Sequence, residues 1–266
     1  MSNRVYQTVR DKRQWQGPLA PAEAAYEEAI GSKGWYTRGC LPHFDKPGTV
    51  QMVTFRLADA MPASRRQEWE ALFAIEDERE QRTQLEDYLD RGYGSCVLRD
   101  LRAASAVEAV LLHSDGRHYR LAAWVVMPNH AHVLFEMWDL PMGDLLKAWK
   151  GASSHAINKL LGRRGTLWQR EYWDRFMRDE EHFRKAQHYI EWNPVKAGLA
   201  KTPEERPFDS ANPKWRWSGP DRFRSGHLIR EGVQPHPPGA PTFLSASGDE
   251  GSDSRRHECR RSESMG

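Results

Sequence analysis

Cysteine is scarce in this chain of 266 residues, which contains only Cys40, Cys96 and Cys259. Their odd number and wide spacing exclude a disulfide framework and a cysteine-based zinc ribbon, and they fit a reducing cytoplasm. The sequence has no run of about 18 apolar residues, which excludes a membrane-spanning helix. The basic residues at the start are not followed by an apolar stretch, so we expect no signal peptide.

The chain also lacks an excess of charge of one sign. Its 39 basic and 37 acidic residues give a net charge of +2, so binding to nucleic acid would require local clusters of basic residues. The loop that contains Gly92 and Gly94 is too short to hold a nucleotide, and no Walker, Rossmann or GxSxG element is present. We therefore expect no nucleotide cofactor.

The ends of the sequence differ from its middle. Of the 34 residues from 233 to 266, 14 are Pro, Gly or Ser, and such a segment cannot bury enough apolar surface to offset the entropy of ordering. We predict a disordered tail there. The complete prediction is an irregular N-terminal arm at 1–45, a folded domain at 46–202, a C-terminal extension at 203–232 and the tail at 233–266.

Hydrophobic periodicity in the middle of the chain predicts alternating strands and helices. The strands are predicted at 53–57, 119–127, 130–138 and 166–178. The helices are predicted at 21–30, 63–89, 103–112, 144–161 and 180–192, the last one ended by Pro194. This order predicts an α+β fold of the ferredoxin-like type, in which helices pack on a mostly antiparallel sheet.

Two histidines occupy alternate positions of the third predicted strand. His130 and His132 lie about 6–7 Å apart at Cα and point to the same side, so both imidazoles can reach one divalent metal ion. The opposite face of this strand, from Ala131 to Met137, is wholly apolar and should face the core. In a chain with 11 histidines this spacing also arises by chance, so a purely structural role stays open.

A tyrosine and an asparagine share one face of the last predicted helix. Tyr189 and Asn193 are four residues apart, which makes them neighbours on a helix. A phenol near a metal ion and a lysine can act as an oxygen nucleophile, and an asparagine carbonyl can be a third metal ligand. Pro194 disfavours helical angles at Asn193 and weakens this alignment. The alternative is that Tyr189 is a half-buried packing residue.

The segment from 163 to 178 combines five arginines with four aromatic residues, and a polar helical stripe precedes it. Such a mixture suits the binding of phosphates and of unpaired bases, although a solvated face or core packing are the alternatives. The residues predicted to contact nucleic acid are Lys147, Lys150, Trp168, Arg170, Arg175, Arg178 and Lys185.

Two segments together resemble the motifs of a known family. MPNHAHVL at 127–134 and YIEWNPVKAGL at 189–199 are similar to those of the REP-associated tyrosine transposases, single-tyrosine members of the His-hydrophobic-His (HUH) endonuclease superfamily. Segments 38–44, 53–59 and 167–175 support the resemblance, which covers about residues 35–200. It implies that the folded domain at 46–202 is an HUH transposase domain with a ferredoxin-like sheet.

The resemblance also implies roles for single residues. Tyr189 matches the nucleophile, His130 and His132 match the metal ligands, and Asn193 matches a third ligand that is Gln in related insertion-sequence transposases. A divalent metal, Mg²⁺ or Mn²⁺, would polarise the scissile phosphate, and Tyr189 would form a 5′-phosphotyrosine that preserves the bond energy for rejoining. The implied substrates are single-stranded DNA hairpins of palindromic, REP-like repeats.

The resemblance further implies a bacterial cytoplasmic, nucleoid-associated protein that acts as a monomer or homodimer and binds no membrane. Two other functions stay open. The first is a metal-dependent phosphodiester hydrolase in which bound water attacks, and the second is a hairpin-binding protein that has lost catalysis.

Overall fold

The structure is a computed structural model that describes residues 28–29, 31, 33–37 and 42–215. The predicted tail at 233–266 and nearly all of the predicted helix at 21–30 lie outside the described residues, as do Cys40 and Cys259. Within the described ranges, no helix is long and apolar enough to span a membrane.

Two strands form a hairpin within the described residues of the predicted N-terminal arm. Strands β1 (Gly34–Thr37) and β2 (Pro42–Asp45) pair with each other in antiparallel fashion. The buried carboxylate of Asp174 holds this hairpin. One of its oxygens lies 2.5 Å from Nδ1 of His43, and the other accepts the backbone N–H of Phe44 at 3.0 Å. The arm is thereby attached to the edge of the domain.

A four-stranded antiparallel sheet forms the centre of the fold. Its strands are β3 (Val50–Arg56), β4 (Tyr119–Val126), β5 (His130–Met137) and β6 (Trp173–Phe176). Their spatial order is β4-β5-β3-β6, and every pairing is antiparallel. With helices between β3 and β4 and between β5 and β6, this order is the ferredoxin-like arrangement, and the predicted fold class is confirmed.

The helices differ in detail from the prediction. They are α1 (Arg66–Phe73), α2 (Glu78–Asp90), α3 (Leu101–His113), α4 (Met142–Leu160) and α5 (Glu180–Lys196). The single helix predicted at 63–89 is wrong, because the chain breaks between α1 and α2. There the side chain of Asp77 accepts the backbone N–H of Glu80 and caps a new helix.

Two predicted boundaries are also wrong. The last helix does not end before Pro194, which lies inside α5 with its ring buried. A proline in the final turn removes one intrahelical hydrogen bond, a loss that burial of the ring can offset. The fourth strand is limited to β6, since the residues before it form only an isolated bridge between Leu57 and Trp168.

The two faces of the sheet carry separate apolar layers. The face of β5 that contains Val133 and Phe135 packs against α3 and α4 in the larger core, as predicted. The opposite face packs against α5, where Leu134 belongs to a smaller cluster with Phe183 and Ile190. Because side chains alternate along a strand, His130 and His132 share this second face with α5.

The beginning of the predicted C-terminal extension packs on the domain. Phe208 belongs to the larger core, and Glu108 of α3 holds the segment that follows. Its carboxylate accepts the indole N–H groups of Trp124 at 3.1 Å and Trp215 at 3.0 Å. One buried acid thus joins the extension to the sheet.

Candidate functional site

The two strand histidines point to a common position on the α5 side of the sheet. His130 and His132 are fully buried, and their Nε2 atoms lie 3.1 Å apart. Two nitrogens that each bind one ion at about 2.1 Å are separated by roughly 3.0–3.4 Å. The spacing of the imidazoles therefore suits ligands of a shared metal ion.

Hydrogen bonds to the other ring nitrogens orient both imidazoles. Nδ1 of His130 lies 2.8 Å from Oδ1 of Asn129, whose amide nitrogen donates to the carbonyl of Tyr93. Oδ1 can only accept, so Nδ1 of His130 carries the proton and Nε2 has a free lone pair. Nδ1 of His132 lies 2.7 Å from the hydroxyl of Thr54 on β3. Partners of this kind fix ring orientation around metal sites.

Burial keeps both rings neutral. It lowers the pKa of His130 well below the ordinary value, with the neighbouring His132 adding to the effect. It also lowers the pKa of His132 to about 3, and the charge of Lys196 acts in the same direction. A neutral imidazole is the form that binds metal, so the pair needs no deprotonation near neutral pH.

Tyr189 lies beside the histidines, and Asn193 lies next to Tyr189 because α5 continues through Pro194. The side-chain nitrogen of Asn193 donates to the Tyr189 hydroxyl at 3.3 Å, as expected for neighbours four residues apart. The Tyr189 ring packs edge-on against His132, with ring centroids 5.4 Å apart. Pro194 does not disturb this alignment, because Asn193 keeps its place in the helix.

Asp90, at the end of α2, fixes the amide of Asn193. The same amide nitrogen donates to both carboxylate oxygens of Asp90, at 3.2 and 3.3 Å. Asp90 Oδ1 also lies 3.7 Å from Nε2 of His130. The oxygen of the Asn193 amide is buried and has no hydrogen-bond partner.

These donors fit the metal ion that the sequence resemblance implies. Among the described residues, no group of three His, Cys, Asp or Glu side chains is arranged to hold a metal ion. The available set is instead two neutral imidazole nitrogens and one amide oxygen. A buried acceptor without a partner costs roughly 1–3 kcal/mol, and coordination to a cation would satisfy it.

The hydroxyl of Tyr189 has an acidic environment. The carboxylate of Glu86, one turn before Asp90 on α2, lies close enough for its charge to act on this hydroxyl. Burial raises the pKa of Tyr189 above its ordinary value, and the charges of Glu86 and Asp90 raise it further. Tyr189 is therefore a neutral phenol in this state.

Arg56 is a buried cation next to the histidines. It lies on β3 directly opposite His130 in the register, just as Thr54 lies opposite His132, and it shares their face. Its guanidinium stacks over the ring of Trp173 at 4.8 Å, and only 8% of the residue is exposed. No carboxylate oxygen of the described residues lies within 4.0 Å of its nitrogens. Burial lowers its pKa to about 10, while Glu171 raises it.

The predicted nucleic-acid residues fall into two sets on opposite sides of the sheet. The first set surrounds a groove of about 480 Å³ between α4 and the segment 165–172. Lys147 and Arg170 are exposed there, and Lys150 donates to the carbonyls of Gln169 and Arg170 at 3.1 and 3.0 Å. Lys150 therefore holds one wall of this groove to the other.

Trp168 also borders this groove, but its ring lies in the core. Only 4% of the residue is exposed, its indole N–H donates to Ser153 at 2.9 Å, and its ring packs edge-on against Phe55. In this conformation the ring of Trp168 packs in the core, and its contact with nucleic acid stays a prediction.

The second set lies near α5. Arg175 of β6 lies close enough to Tyr189 and Glu86 for their charges to interact, and its buried Nε has no hydrogen-bond partner. The guanidinium of Arg178 donates to His182 at 3.3 Å. Lys185 forms an exposed ion pair with Glu181 at 2.5 Å. Of this set, Arg175 is the residue whose charge interacts with that of Tyr189.

Sequence reasoning missed the contributions of α2 and β3. Glu86 and Asp90 belong to a charged helix whose pattern is typical of a solvated surface, although their four-residue spacing puts both on one face. Arg56 alternates with apolar residues in the first strand, which only shows that it faces away from them. The pairing of β3 with β5 brings it to His130.

Comparison with known proteins supports the resemblance. Residues 103–193 match the family model described as Transposase IS200 like, a segment that includes His130, His132, Tyr189 and Asn193. The chain is 31% identical over 107 residues to the REP-associated tyrosine transposase of Escherichia coli K12, covering 38% of this chain. The predicted resemblance to REP-associated tyrosine transposases, and with it to a transposase enzyme, is confirmed for this segment.

The chain spans 60% of that relative and 58% of a second one, from Haemophilus influenzae, to which it is 26% identical. A solved structure of a REP-associated tyrosine transposase bound to a REP hairpin aligns with a TM-score of 0.40 and 16% identity. That alignment covers 65% of this chain and 82% of the solved one.

Proposed function

We propose that this chain is a strand-transferring endonuclease that acts on palindromic DNA hairpins through a covalent bond to Tyr189. In this proposal the chain works as a REP-associated tyrosine transposase does, cutting and rejoining single-stranded DNA. The relative solved with a REP hairpin suggests the class of substrate.

One observation carries the proposal. The side-chain nitrogen of Asn193 donates to the Tyr189 hydroxyl at 3.3 Å and to Asp90, whose Oδ1 lies 3.7 Å from Nε2 of His130. The Asn193 amide oxygen is buried and has no hydrogen-bond partner. A nucleophile and a set of metal donors joined through one side chain can act on the same phosphodiester.

The reaction assigned to these residues is a transesterification. His130, His132 and Asn193 would hold a divalent metal ion, Mg²⁺ or Mn²⁺, which when bound supplies positive charge to the phosphate. The Tyr189 oxygen attacks phosphorus, and the bond from phosphorus to the 3′-oxygen breaks. The products are a 5′-phosphotyrosine and a free 3′-hydroxyl.

A tyrosine suits strand transfer because the ester retains the energy of the broken bond. A second 3′-hydroxyl can attack the phosphotyrosine and restore a phosphodiester without ATP. Arg175 and Arg56, two cations on this face of the sheet, are suited to the negative charge of the phosphate.

The test is covalent adduct formation. Purified protein is incubated with Mn²⁺ or Mg²⁺ and an end-labelled single-stranded hairpin taken from the DNA that flanks its gene, and protein–DNA adducts are separated on a denaturing gel. We expect an adduct from the wild-type protein and none from Tyr189→Phe or His132→Ala. The matched control Tyr93→Phe changes a tyrosine whose backbone carbonyl accepts from Asn129, and it should form the adduct normally.

Other outcomes would identify a different function. Cleavage without an adduct that survives Tyr189→Phe but not His132→Ala would show a metal-dependent hydrolase. Tight hairpin binding without cleavage in either metal would show a binding protein without catalysis. Either result would refute the strand-transfer proposal.

A further inference from the structure

The loop that follows α2, residues 91–96, reaches the metal-ligand candidates although it contains none of them. On the basis of the proposed function, we propose that Asp59 is a positioning residue for the imidazole of His130 and acts through this loop. Asp59 fixes the loop carbonyl that orients Asn129, and it thereby selects the ring nitrogen of His130 that is free to bind a metal ion.

A closed circuit of hydrogen bonds joins Asp59 to the turn before β5. The backbone N–H of Ser95 donates to Oδ2 of Asp59 at 2.9 Å. The carbonyl of Tyr93, two residues earlier in the loop, accepts the side-chain N–H of Asn129 at 3.1 Å. The backbone carbonyl of Asn129 in turn accepts the N–H of Leu57 at 2.8 Å, two residues before Asp59. Each of these three segments is therefore held by the other two.

The loop passes so close to Asp59 that only glycine fits at position 94. A Cβ atom on Gly94 would overlap the backbone carbonyl of Asp59. Gly94 also has a φ of +88°, in the left-handed region that other residues rarely adopt. The backbone of the loop and the backbone of Asp59 are therefore in direct contact, and a displacement of one moves the other.

The position of the Tyr93 carbonyl decides which end of the buried Asn129 amide faces His130. A carbonyl can only accept, so it binds the amide nitrogen and leaves Oδ1 for Nδ1 of His130, 2.8 Å away. Nδ1 then carries the ring proton, and Nε2 keeps its lone pair. If the carbonyl moved away, the amide could rotate by half a turn and present its nitrogen to Nδ1. The neutral ring would then be protonated on Nε2, where it could not bind a metal ion.

The loop has a second attachment that does not involve Asp59. The guanidinium of Arg65 lies 3.9 Å from the centroid of the Tyr93 ring, and the ring of Tyr88 packs against the same ring at 4.8 Å. These contacts hold the side chain of Tyr93. A ring can keep its packing while the peptide group next to it rotates, so the direction of the carbonyl is assigned to Asp59.

The tautomer of His130 can be measured by NMR in the full-length protein with isotope-labelled histidine, at neutral pH and without metal or DNA. The His130 signals are assigned by their loss in His130→Gln. We expect the wild type to be protonated at Nδ1 alone. Asp59→Ala should add the signals of the tautomer that is protonated at Nε2. In calorimetric titration it should also bind Mn²⁺ about 10-fold more weakly, the lower end of the effect of losing a partner behind a metal ligand.

Two variants serve as controls. Asp59→Asn keeps an oxygen that can accept the N–H of Ser95, so it should restore the wild-type tautomer and Mn²⁺ affinity. Asp115→Ala removes a carboxylate that accepts the backbone N–H of Leu121 at 2.8 Å, at the other end of the sheet. This variant should lower the free energy of unfolding and leave both the His130 signals and the Mn²⁺ affinity unchanged.

A folded Asp59→Ala variant with the wild-type tautomer and Mn²⁺ affinity would overturn the inference, because the packing of the Tyr93 ring would then suffice. The same changes in Asp115→Ala would also overturn it, since they would show a general response to lost stability. If Asp59→Ala does not fold, Gly94→Ala, which displaces the loop from Asp59, decides the question in the same two measurements. Neither measurement involves DNA, so a wild-type protein that forms no adduct refutes the proposed function without changing these outcomes.

Discussion

Both carboxylate oxygens of Asp90 accept hydrogen bonds from the side-chain nitrogen of Asn193, at 3.2 and 3.3 Å, and so determine which atom of the amide faces Asp90. An amide can rotate by half a turn and exchange its nitrogen for its oxygen. A carboxylate on one side removes that choice, because it cannot donate to the amide oxygen. Asp90 is therefore a positioning residue for Asn193.

Asp90→Ala is expected to weaken Mn²⁺ binding by about 10–100-fold, the usual effect of losing a partner behind a metal ligand. Asp90→Asn should lose less, since its carbonyl can still accept the same N–H. Calorimetric titration of DNA-free protein measures both, with Glu80→Ala as the control. Equal affinities for the wild type and Asp90→Ala would show that the amide needs no such support.

Arg56 should matter for catalysis and not for folding. An apolar replacement of similar length, Arg56→Met, removes a buried cation that has no carboxylate within 4.0 Å among the described residues, so the free energy of unfolding should be unchanged or higher. If Arg56 stabilises the phosphate, adduct formation should fall by roughly 10²–10³-fold. Urea denaturation and the adduct assay measure the two quantities. A less stable variant with normal adduct formation would show that Arg56 stabilises the folded state and has no part in catalysis.

The groove beside α4 can be tested by the salt dependence of hairpin binding. Each lost phosphate contact should reduce the log–log slope for single strands by about 0.7. Arg170→Ala and Lys147→Ala, at exposed positions, should each show this reduction, whereas Lys159→Ala near the end of α4 should not. Lys150→Met should leave the slope nearly unchanged, because its ammonium group already donates to two carbonyls. Unchanged slopes for both variants would show that these two residues face solvent and contact no phosphate.

Asp209 should make stability depend on pH. It is fully buried, one of its oxygens has no partner, and burial raises its pKa from 3.8 to about 8. Between these values the folded state holds a proton that the unfolded state has lost, so stability decreases as pH rises, by up to about 1.4 kcal/mol per pH unit. The contribution is complete below the unfolded pKa and is lost as pH passes the folded one.

Asp209→Asn removes this titration while preserving the acceptor for the N–H of Ala211, 2.8 Å away. We expect its free energy of unfolding to vary less between about pH 5 and about pH 8 than that of the wild type. Urea denaturation at the two pH values gives the comparison. Parallel pH dependences would show that Asp209 ionises in the folded state as it does in the unfolded one.

The sheet was largely predictable because its strands carry strong local signals. The apolar face of β5 and the alternation in β3 follow directly from side-chain period. Helix breaks were harder: the separation of α1 from α2 depends on a cap at Asp77, and the continuation of α5 depends on burial of Pro194, which the local sequence does not encode.

The site residues were also predictable only in part. The sequence indicates His130 and His132 because residues two apart share one face of a strand, and Tyr189 and Asn193 because residues four apart share one face of a helix. Glu86, Asp90 and Arg56 could not, since each enters the site only through packing between elements distant in sequence. Trp168 shows the converse, because an aromatic residue among arginines can still belong to the core.

Strand β5 is hydrogen-bonded along both edges, to β3 and to β4. The strand that carries the histidines can therefore shift only if its hydrogen bonds to both neighbouring strands break together. The backbone amide protons of the histidines should exchange with solvent only in global unfolding. Tyr189 lies on α5, an outer helix that packs on the sheet through a small apolar cluster. A substitution that weakens the packing of this cluster would displace the Tyr189 hydroxyl before it changed the positions of the imidazoles.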